Sequence, residues 1–581
     1  MEKQSILNKF VMAVISLVLV LISTRTPLTA TFHLSGVFVA VIFILAILFA
    51  QLVRASEKTI VISLTETLLI TWIVFQWLRS GSIIGGIYCL LFVTGWVLYK
   101  AICQKSYKLG DKWSSVLSVN MIYAVIQSII AVAQYAGLYS NIDGNFEVGG
   151  LMGNPNVLAI SLTIPFLMCY ASLYWDKEVR VWKWLVLLLM GFAIAITKCR
   201  SVWFAIPLGV VVFHWPVATA MWSRLKMWHR GLVVAVAVSV MVFASIELYQ
   251  FKQHSADGRL LIWKVSREMV ASHPFIGVGL GRFQDEYPRF QHDYFKSADR
   301  THHEQKLAKS PLTPYNDWLL ITTETGIIGL LLVAIISISF LRKATSLTTH
   351  KYLVLAMVAS VFFISLVNYI IAIPVVFFQI VGIIFMTDAE ADHRTKQARS
   401  LSISLKAFNT LALGILISSG SYLLYAELLG GGFLGKLKSK SPDLQSYAVN
   451  NRASIQKYPW ACYLVGKMML KEKNKEGIVW LKRSEQQSGY YGTALELGNY
   501  YLATGELQQA DRYLMQARYT APGLLRPRYS LIKCYIRQRR FDEAKALCDD
   551  TLLLGAKVQS KLAADILIRI ERIKQQLERR L

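Results

Sequence analysis

Arg200 lies in the run Thr197-Lys198-Cys199-Arg200-Ser201-Val202-Trp203-Phe204, where one apolar stretch ends and the next begins. An ionisable side chain at that depth is costly to desolvate, so it marks either a functional site or an interfacial anchor that snorkels toward water. A second group is Gly149-Gly150-Leu151-Met152-Gly153-Asn154-Pro155-Asn156. Asn154 or Asn156 can cap the helix that follows, and Pro155 suits its first turn. The start of that helix either offers N–H groups to an anion or is simply capped. A third group begins at Asp257-Gly258-Arg259 and continues into the turn Gly277-Val278-Gly279-Leu280-Gly281-Arg282-Phe283. This turn is not a phosphate loop, because no Gly-Lys-Ser/Thr follows and no strand is predicted before it. Last comes Pro314-Tyr315-Asn316-Asp317-Trp318-Leu319, then Glu324-Thr325-Gly326. Glu324 sits in an otherwise apolar run and therefore needs a partner. His302 and His303 precede a charged stretch and read as solvated side chains or as ligands. The chain has no His-Glu-x-x-His or similar helical metal pair, and no cofactor is expected.

The elements that must carry these residues follow from composition. Of 581 residues 54% are hydrophobic, and the mean hydropathy is +0.43. Residues 1–426 are a succession of long apolar runs, whereas the remainder is polar and charged. A helix crosses a bilayer with about 20 apolar residues. Thirteen runs qualify or nearly do, at 10–23, 34–53, 60–77, 83–103, 114–136, 155–174, 182–197, 201–216, 231–249, 318–341, 352–367, 369–387 and 405–426. Three of them are short, which makes the expectation 12–13 spans. The first resembles a signal peptide without a clear cleavage site and is read as a retained span. With the N-terminus in the cytoplasm, the inside segments hold 21 Lys and Arg and the short outside loops hold four. That bias fixes the orientation and places the long loop 250–317 outside. An odd number of spans puts the C-terminal domain outside as well.

The net charge of +26 is accounted for by these orienting loops and by a tail without a nucleic-acid motif, so no nucleic-acid partner is expected. Seven scattered cysteines with no Cys-x-x-Cys give neither a disulfide framework nor a zinc site.

Residues 427–440, which include Gly430-Gly431-Gly432, read as a flexible linker. Beyond them, in 441–581, a period near 34 emerges. Leu497, Gly498, Tyr501, Gly505, Ala510, Leu514, Ala517 and Pro522 fall at tetratricopeptide positions, and Leu531, Tyr535 and Ala544 repeat the pattern. About three helix pairs and a closing helix at 558–579 are expected. They form either a concave platform for a protein or glycan partner or a stabilising appendage. The expected fold class is all-α: a polytopic membrane helical bundle with a C-terminal helical-repeat domain.

The motifs Gly-Asn-Pro-Asn at 153–156, Arg200-Ser201, the Gly258–Trp263 segment, the 273–283 turn and the 315–329 segment occur in an order and spacing that resembles the O-antigen ligase and polymerase superfamily of bacterial envelope glycosyltransferases. The resemblance covers roughly residues 1–390. It implies a class C glycosyltransferase-like bundle in the bacterial cytoplasmic (inner) membrane, with a periplasmic repeat domain. The implied reaction transfers a glycan from an undecaprenyl-diphosphate carrier to a hydroxyl of a glycan, lipid or protein acceptor, without a metal. It also implies that Arg200 and Arg259 hold the diphosphate, with Arg282, Asn154, Asn156, Tyr315 and Asn316 lining the substrate site. An arginine fork suits that task, because it binds phosphate bidentately and offsets the leaving group's charge. The ligases carry a His, seen as the base, where this chain has Tyr315. An unperturbed phenol is a poor base near neutral pH. Glu324, Asp317, His302 and His303 are the remaining candidates. Polymerase and protein O-oligosaccharyltransferase activities stay open beside the ligase. So do two readings of another class, a transporter of lipid-linked sugars and a non-enzymatic assembly scaffold.

Overall fold

Ser63 ends a short strand and starts the first helix described in the structure. Its hydroxyl accepts the Glu66 N–H while the Glu66 carboxylate accepts the Ser63 N–H, and Gly81 closes the same helix in the left-handed conformation. The computed structural model describes residues 59–104, 112–175, 181–251, 253–297, 300–390, 400–404, 414, 433, 436, 444–557 and 560–579. The expected spans 10–23 and 34–53, nearly all of 405–426 and most of the 427–440 linker lie outside the described residues.

The described chain is built from helices. The first ten are α1 (Leu64–Ser80), α2 (Ile83–Gln104), α3 (Lys112–Tyr135), α4 (Pro155–Trp175), α5 (Val181–Ile196), α6 (Arg200–Phe213), α7 (Trp215–Arg224), α8 (Met227–Phe251), α9 (Gln253–Ser272) and α10 (Phe283–Lys296). Then come α11 (His302–Leu307), α12 (Asp317–Thr345), α13 (Lys351–Val367) and α14 (Pro374–Glu390). One pair of strands accompanies them. β1 (Thr59–Ser63) lies antiparallel to β2 (Ser400–Ser404), with Thr59 opposite Ser404 and Ser63 opposite Ser400. The expected helix over 60–77 therefore starts late, at Leu64, because the β-branched Thr-Ile-Val-Ile run pairs with a second strand instead.

Val116–Tyr135, Pro155–Trp175 and Asp317–Thr345 are each long and apolar enough to cross a membrane, and Val181–Ile196, Lys351–Val367 and Pro374–Asp388 are shorter apolar helices. Leu185, Leu188 and Phe192 on α5 and Leu331, Ile335 and Ile338 on α12 are exposed on the bundle surface, an apolar exterior suited to lipid. The expected eighth span is not one straight helix. It bends by 66° between α6 and α7, at His214, where Pro216 cannot continue the α6 hydrogen-bond ladder. The expected tenth span is kinked at Gly326, whose backbone (φ 71°, ψ −175°) is open only to glycine.

The bundle core is formed by α3, α4, α5, α6, α13 and α14, with Tyr123, Leu158, Met190, Val202, Ile364 and Val376 among its buried side chains. The segment 253–307 is not an extended loop. It folds as α9, α10 and α11 around Leu261, Val265, Met269, Phe283, Tyr287 and Leu307.

The C-terminal region begins with two short helices, α15 (Leu444–Asn450) and α16 (Arg452–Ile455). Three helix pairs follow: α17 (Pro459–Lys471) with α18 (Gly477–Gln487), α19 (Tyr491–Thr504) with α20 (Leu507–Thr520), and α21 (Leu525–Arg537) with α22 (Phe541–Leu554). A closing helix, α23 (Lys561–Glu578), completes the stack. Small residues let the pairs close. A Cβ on Gly498 would sit 2.7 Å from the Leu514 side chain, and Gly466 and Gly477 face each other across the first pair. Leu497, Ala510, Leu514, Ala517, Leu531 and Ala544 are all fully buried.

Candidate active site

The residues singled out from sequence fall into three groups in space. The first surrounds the turn 367–370 between α13 and α14, which no motif announced. Arg259 on α9 donates through Nη1 to the Val367 carbonyl at 2.6 Å, and its guanidinium lies 5.0 Å above the Tyr315 ring. Tyr315 holds a left-handed backbone (φ 53°), and its ring packs edge-on to Tyr369 at 5.6 Å. Asn368 donates to the Ser201 hydroxyl at 3.1 Å, next to Arg200 at the first position of α6. The Ile370 N–H donates to Asp317 Oδ2 at 2.8 Å. Burial lowers the Arg259 guanidinium from its ordinary value, with Tyr315, Cys199 and Tyr369 acting in the opposite direction. Arg259 in turn acts electrostatically on Arg200. The Arg259 guanidinium meets the turn directly and Arg200 lies near enough to feel its charge, and among the described residues Arg259 has no carboxylate within ion-pair distance. A cluster of this kind is stabilised by an anion.

Asn316 caps α12 by accepting the Leu319 N–H at 2.9 Å, and Asp317 is buried at the first helical position. Trp263 donates to the Pro314 carbonyl at 2.8 Å and Trp318 to the Ser365 hydroxyl at 2.9 Å. These bonds tie α9 to the start of α12, and α12 to α13, so the first group is held from three elements.

The second group is structural support. The Gly277–Phe283 turn wraps the kink of α12. The Val278 and Gly279 N–H groups donate to the Thr323 and Glu324 carbonyls, and the Ile327 N–H donates back to Pro274. Glu324 finds its partners in this turn, accepting the Gly281 N–H at 2.9 Å and the Phe283 N–H at 3.1 Å. Both of its oxygens are thereby engaged in capping α10 and closing the turn. Gln76 and Arg79 of α1 donate to the Ile276 carbonyl from the other side. At the 149–156 turn, Asn154 caps α4 by accepting the Asn156 N–H at 2.9 Å. Gln134 accepts the Gly149 and Gly150 N–H groups at 2.9 and 2.8 Å, and Gln127 accepts that of Leu151 at 3.1 Å. These two glutamines were missed from sequence. Their seven-residue spacing places them on one face of an otherwise apolar helix, which was the available signal.

The third group faces the repeat domain. His302 Nε2 lies 2.8 Å from Asp550 Oδ1. Arg282 pairs with Glu286 at 2.8 Å and donates to the Gln487 carbonyl at 3.4 Å. Burial pushes the carboxyl of nearby Asp285 up to about 6, against the pull of Arg282. His303 pairs with Asp257 at 3.2 Å, and the Tyr249 hydroxyl donates to the other Asp257 oxygen at 2.6 Å. Asp257 is held below its ordinary value by that Tyr249 bond first and by His303 after it. Two residues along a helix is a rotation of about 200°, so Asp257 and His303 lie across α9 from Arg259. Of the sequence-derived residues, the structure therefore brings Arg200, Arg259, Tyr315, Asn316 and Asp317 together. Glu324, His302, His303 and Arg282 lie elsewhere.

An all-α bundle with several membrane-length apolar helices defines the class as a membrane protein. Residues 185–334, which contain both arginines, match the family model described as O-antigen ligase. The chain is also similar to a provisionally named polysaccharide ligase of Rickettsia conorii, with 30% identity over 109 residues. That match covers 18% of this chain and 24% of the relative, so the chain spans about a quarter of the relative's length.

Proposed function

We propose that this protein transfers a glycan from an undecaprenyl-diphosphate carrier to an acceptor hydroxyl at the outer face of the bacterial cytoplasmic membrane. The observation that carries the reading is that Arg259 and the residue next to Arg200, Ser201, both bond to the 367–370 turn, with both arginines inside the O-antigen ligase match at 185–334. In the reaction the acceptor oxygen bonds to the anomeric carbon and the bond from that carbon to the diphosphate breaks. The carrier departs as undecaprenyl diphosphate, and the hydroxyl proton passes to solvent. The arginines act where negative charge grows, on the leaving diphosphate. Glu324 accepts backbone N–H groups through both oxygens and Asp317 through Oδ2, His302 is engaged by Asp550, and His303 lies across α9. Transfer on this reading rests on positioning and leaving-group stabilisation rather than on a strong base.

Release of undecaprenyl diphosphate by the purified protein, given lipid-linked glycan and acceptor, tests the proposal. A transporter or scaffold consumes no carrier. Ligase, polymerase and protein oligosaccharyltransferase share this donor chemistry and differ in acceptor. Intact-mass analysis of surface glycolipids and glycoproteins from a deletion strain separates them.

Tyr315→Phe is expected to retain most activity, because the ring that stacks under Arg259 and meets Tyr369 is preserved. Complete loss in this variant alone would assign the chemistry to the phenol. On topology, Ser310→Cys and Lys471→Cys, at exposed positions of the loop unit and repeat domain, are expected to react with an impermeant thiol reagent in spheroplasts. The described native cysteines are buried. Labelling only after lysis would reverse the assigned orientation.

A further inference from the structure

Gly489, Gly523 and Lys557 stand 34 residues apart, one in each turn that follows a helix pair, and all three touch the 283–308 region. The Gly489 N–H donates to the Asp285 carbonyl at 3.1 Å. A Cβ built on Gly489 would lie 2.6 Å from Arg289 Cγ and 3.0 Å from Arg289 N. A Cβ on Gly523 would lie 2.6 Å from the Gln305 carbonyl oxygen and 3.3 Å from Lys306 Cα. Lys557 donates to the Ala308 carbonyl. Neither glycine has a positive φ, so backbone freedom does not explain them. What a side chain would meet at either position is the other unit, not the repeat's own core.

The seam between these points is densely bonded. Gln291 donates to the Thr520 carbonyl at 2.5 Å, and Arg289 to the Gln486 carbonyl at 2.7 Å. Arg528, 1% exposed, holds Asp550 at 2.5 Å and the Gln305 side chain at 2.6 Å. Tyr519 of the repeats packs into the apolar cluster that joins α9, α10 and α11. Three helices spanning 253–307 enclose only a small core, marginal in stability by itself. In the structure α9 lies between the bundle, which it grips through Arg259 and Trp263, and α10, which in turn rests on α20.

We propose that the inter-repeat turns form an intramolecular clamp: they hold the 253–308 unit against the bundle and so fix Arg259, with Gly489 and Gly523 as positioning residues. The role given to Arg259 rests on the transfer reading above; the clamp itself does not. The test uses the full-length protein in nanodiscs with Gly523→Ala, Gly523→Leu and the double variant Gly489→Leu/Gly523→Leu. Hydrogen exchange is followed across 283–308 and, separately, within α19–α22. Exchange across 283–308 is expected to rise with side-chain size, on the order of a hundredfold in the double variant, while α19–α22 keep their protection. Transfer is expected to fall in parallel, through kcat more than through KM for the acceptor. Unchanged exchange across 283–308 in the double variant overturns the clamp, whatever the activity. Raised exchange with undiminished transfer overturns the positioning role. Absence of transfer by the unmodified chain would count against the transferase reading, and exchange would still decide the clamp.

Discussion

Arg259→Ala is expected to reduce glycan transfer on the order of 10²–10³-fold, equivalent to about 2.7–4 kcal/mol of transition-state stabilisation, by analogy with loss of one oxyanion donor. The side chain sits where its loss leaves no substitute. One Nη group is spent on Val367 at 2.6 Å and the guanidinium plane on Tyr315, which aims the remaining donors and fixes the charge. Arg200→Ala is expected to act at the same step, because the two cations lie close enough to interact electrostatically. The double variant should then lose less than the product of the single losses. Lys at position 259 keeps the charge but cannot donate to Val367, cover the tyrosine ring and bind a diphosphate fork at once. It should therefore restore activity only in part. The measurement is transfer by purified variants matched for expression and folding. Near-normal rates in both alanine variants would remove the diphosphate site.

Gly326→Val is expected to destabilise the membrane domain more than any other single glycine change in α12. A non-glycine residue at φ 71°, ψ −175° carries strain of about 1–3 kcal/mol. The added Cβ would stand 2.0 Å from the Phe275 carbonyl oxygen and 2.2 Å from its carbon. Those are backbone atoms that cannot rotate away, so the 273–283 turn must lift off. That breaks the Ile327-to-Pro274 bond and the two bonds from Val278 and Gly279 to α12, and it uncovers Glu324. Gly382→Ala on α14 is the control, because its nearest contact would be the Val116 side chain at 3.9 Å. In detergent the apparent melting temperature should fall sharply for Gly326→Val and hardly move for Gly382→Ala. Equal melting temperatures would show that the kink is not a stability determinant.

Much of this architecture was legible in the chain. Apolar run length marked the helices because a lipid-facing backbone must satisfy its own hydrogen bonds, which makes each span a local decision. Asn154 announced a helix start for the same local reason, a side-chain oxygen within reach of the next N–H groups. The 34-residue period gave three helix pairs and a closing helix, because each pair must present the same small residues to its neighbour. Arg200 and Arg259 were singled out by motif, 59 positions apart.

What tertiary structure alone decided is where those residues meet and what the others do. The 367–370 turn joins Arg259, Ser201, Tyr315 and Asp317, yet its use of a carbonyl and an N–H leaves no trace in residue type. Glu324 stood out in sequence because a buried carboxylate needs partners. That its partners are two backbone N–H groups of a distant turn, rather than a substrate, depended on how α12 bends at Gly326. Likewise, His302 and His303 are adjacent in the chain but point to Asp550 and Asp257 on different units. Periodicity and hydropathy record what a residue does for its own element. The pairing of residues from separate elements is a property of packing, and only the folded chain settles it.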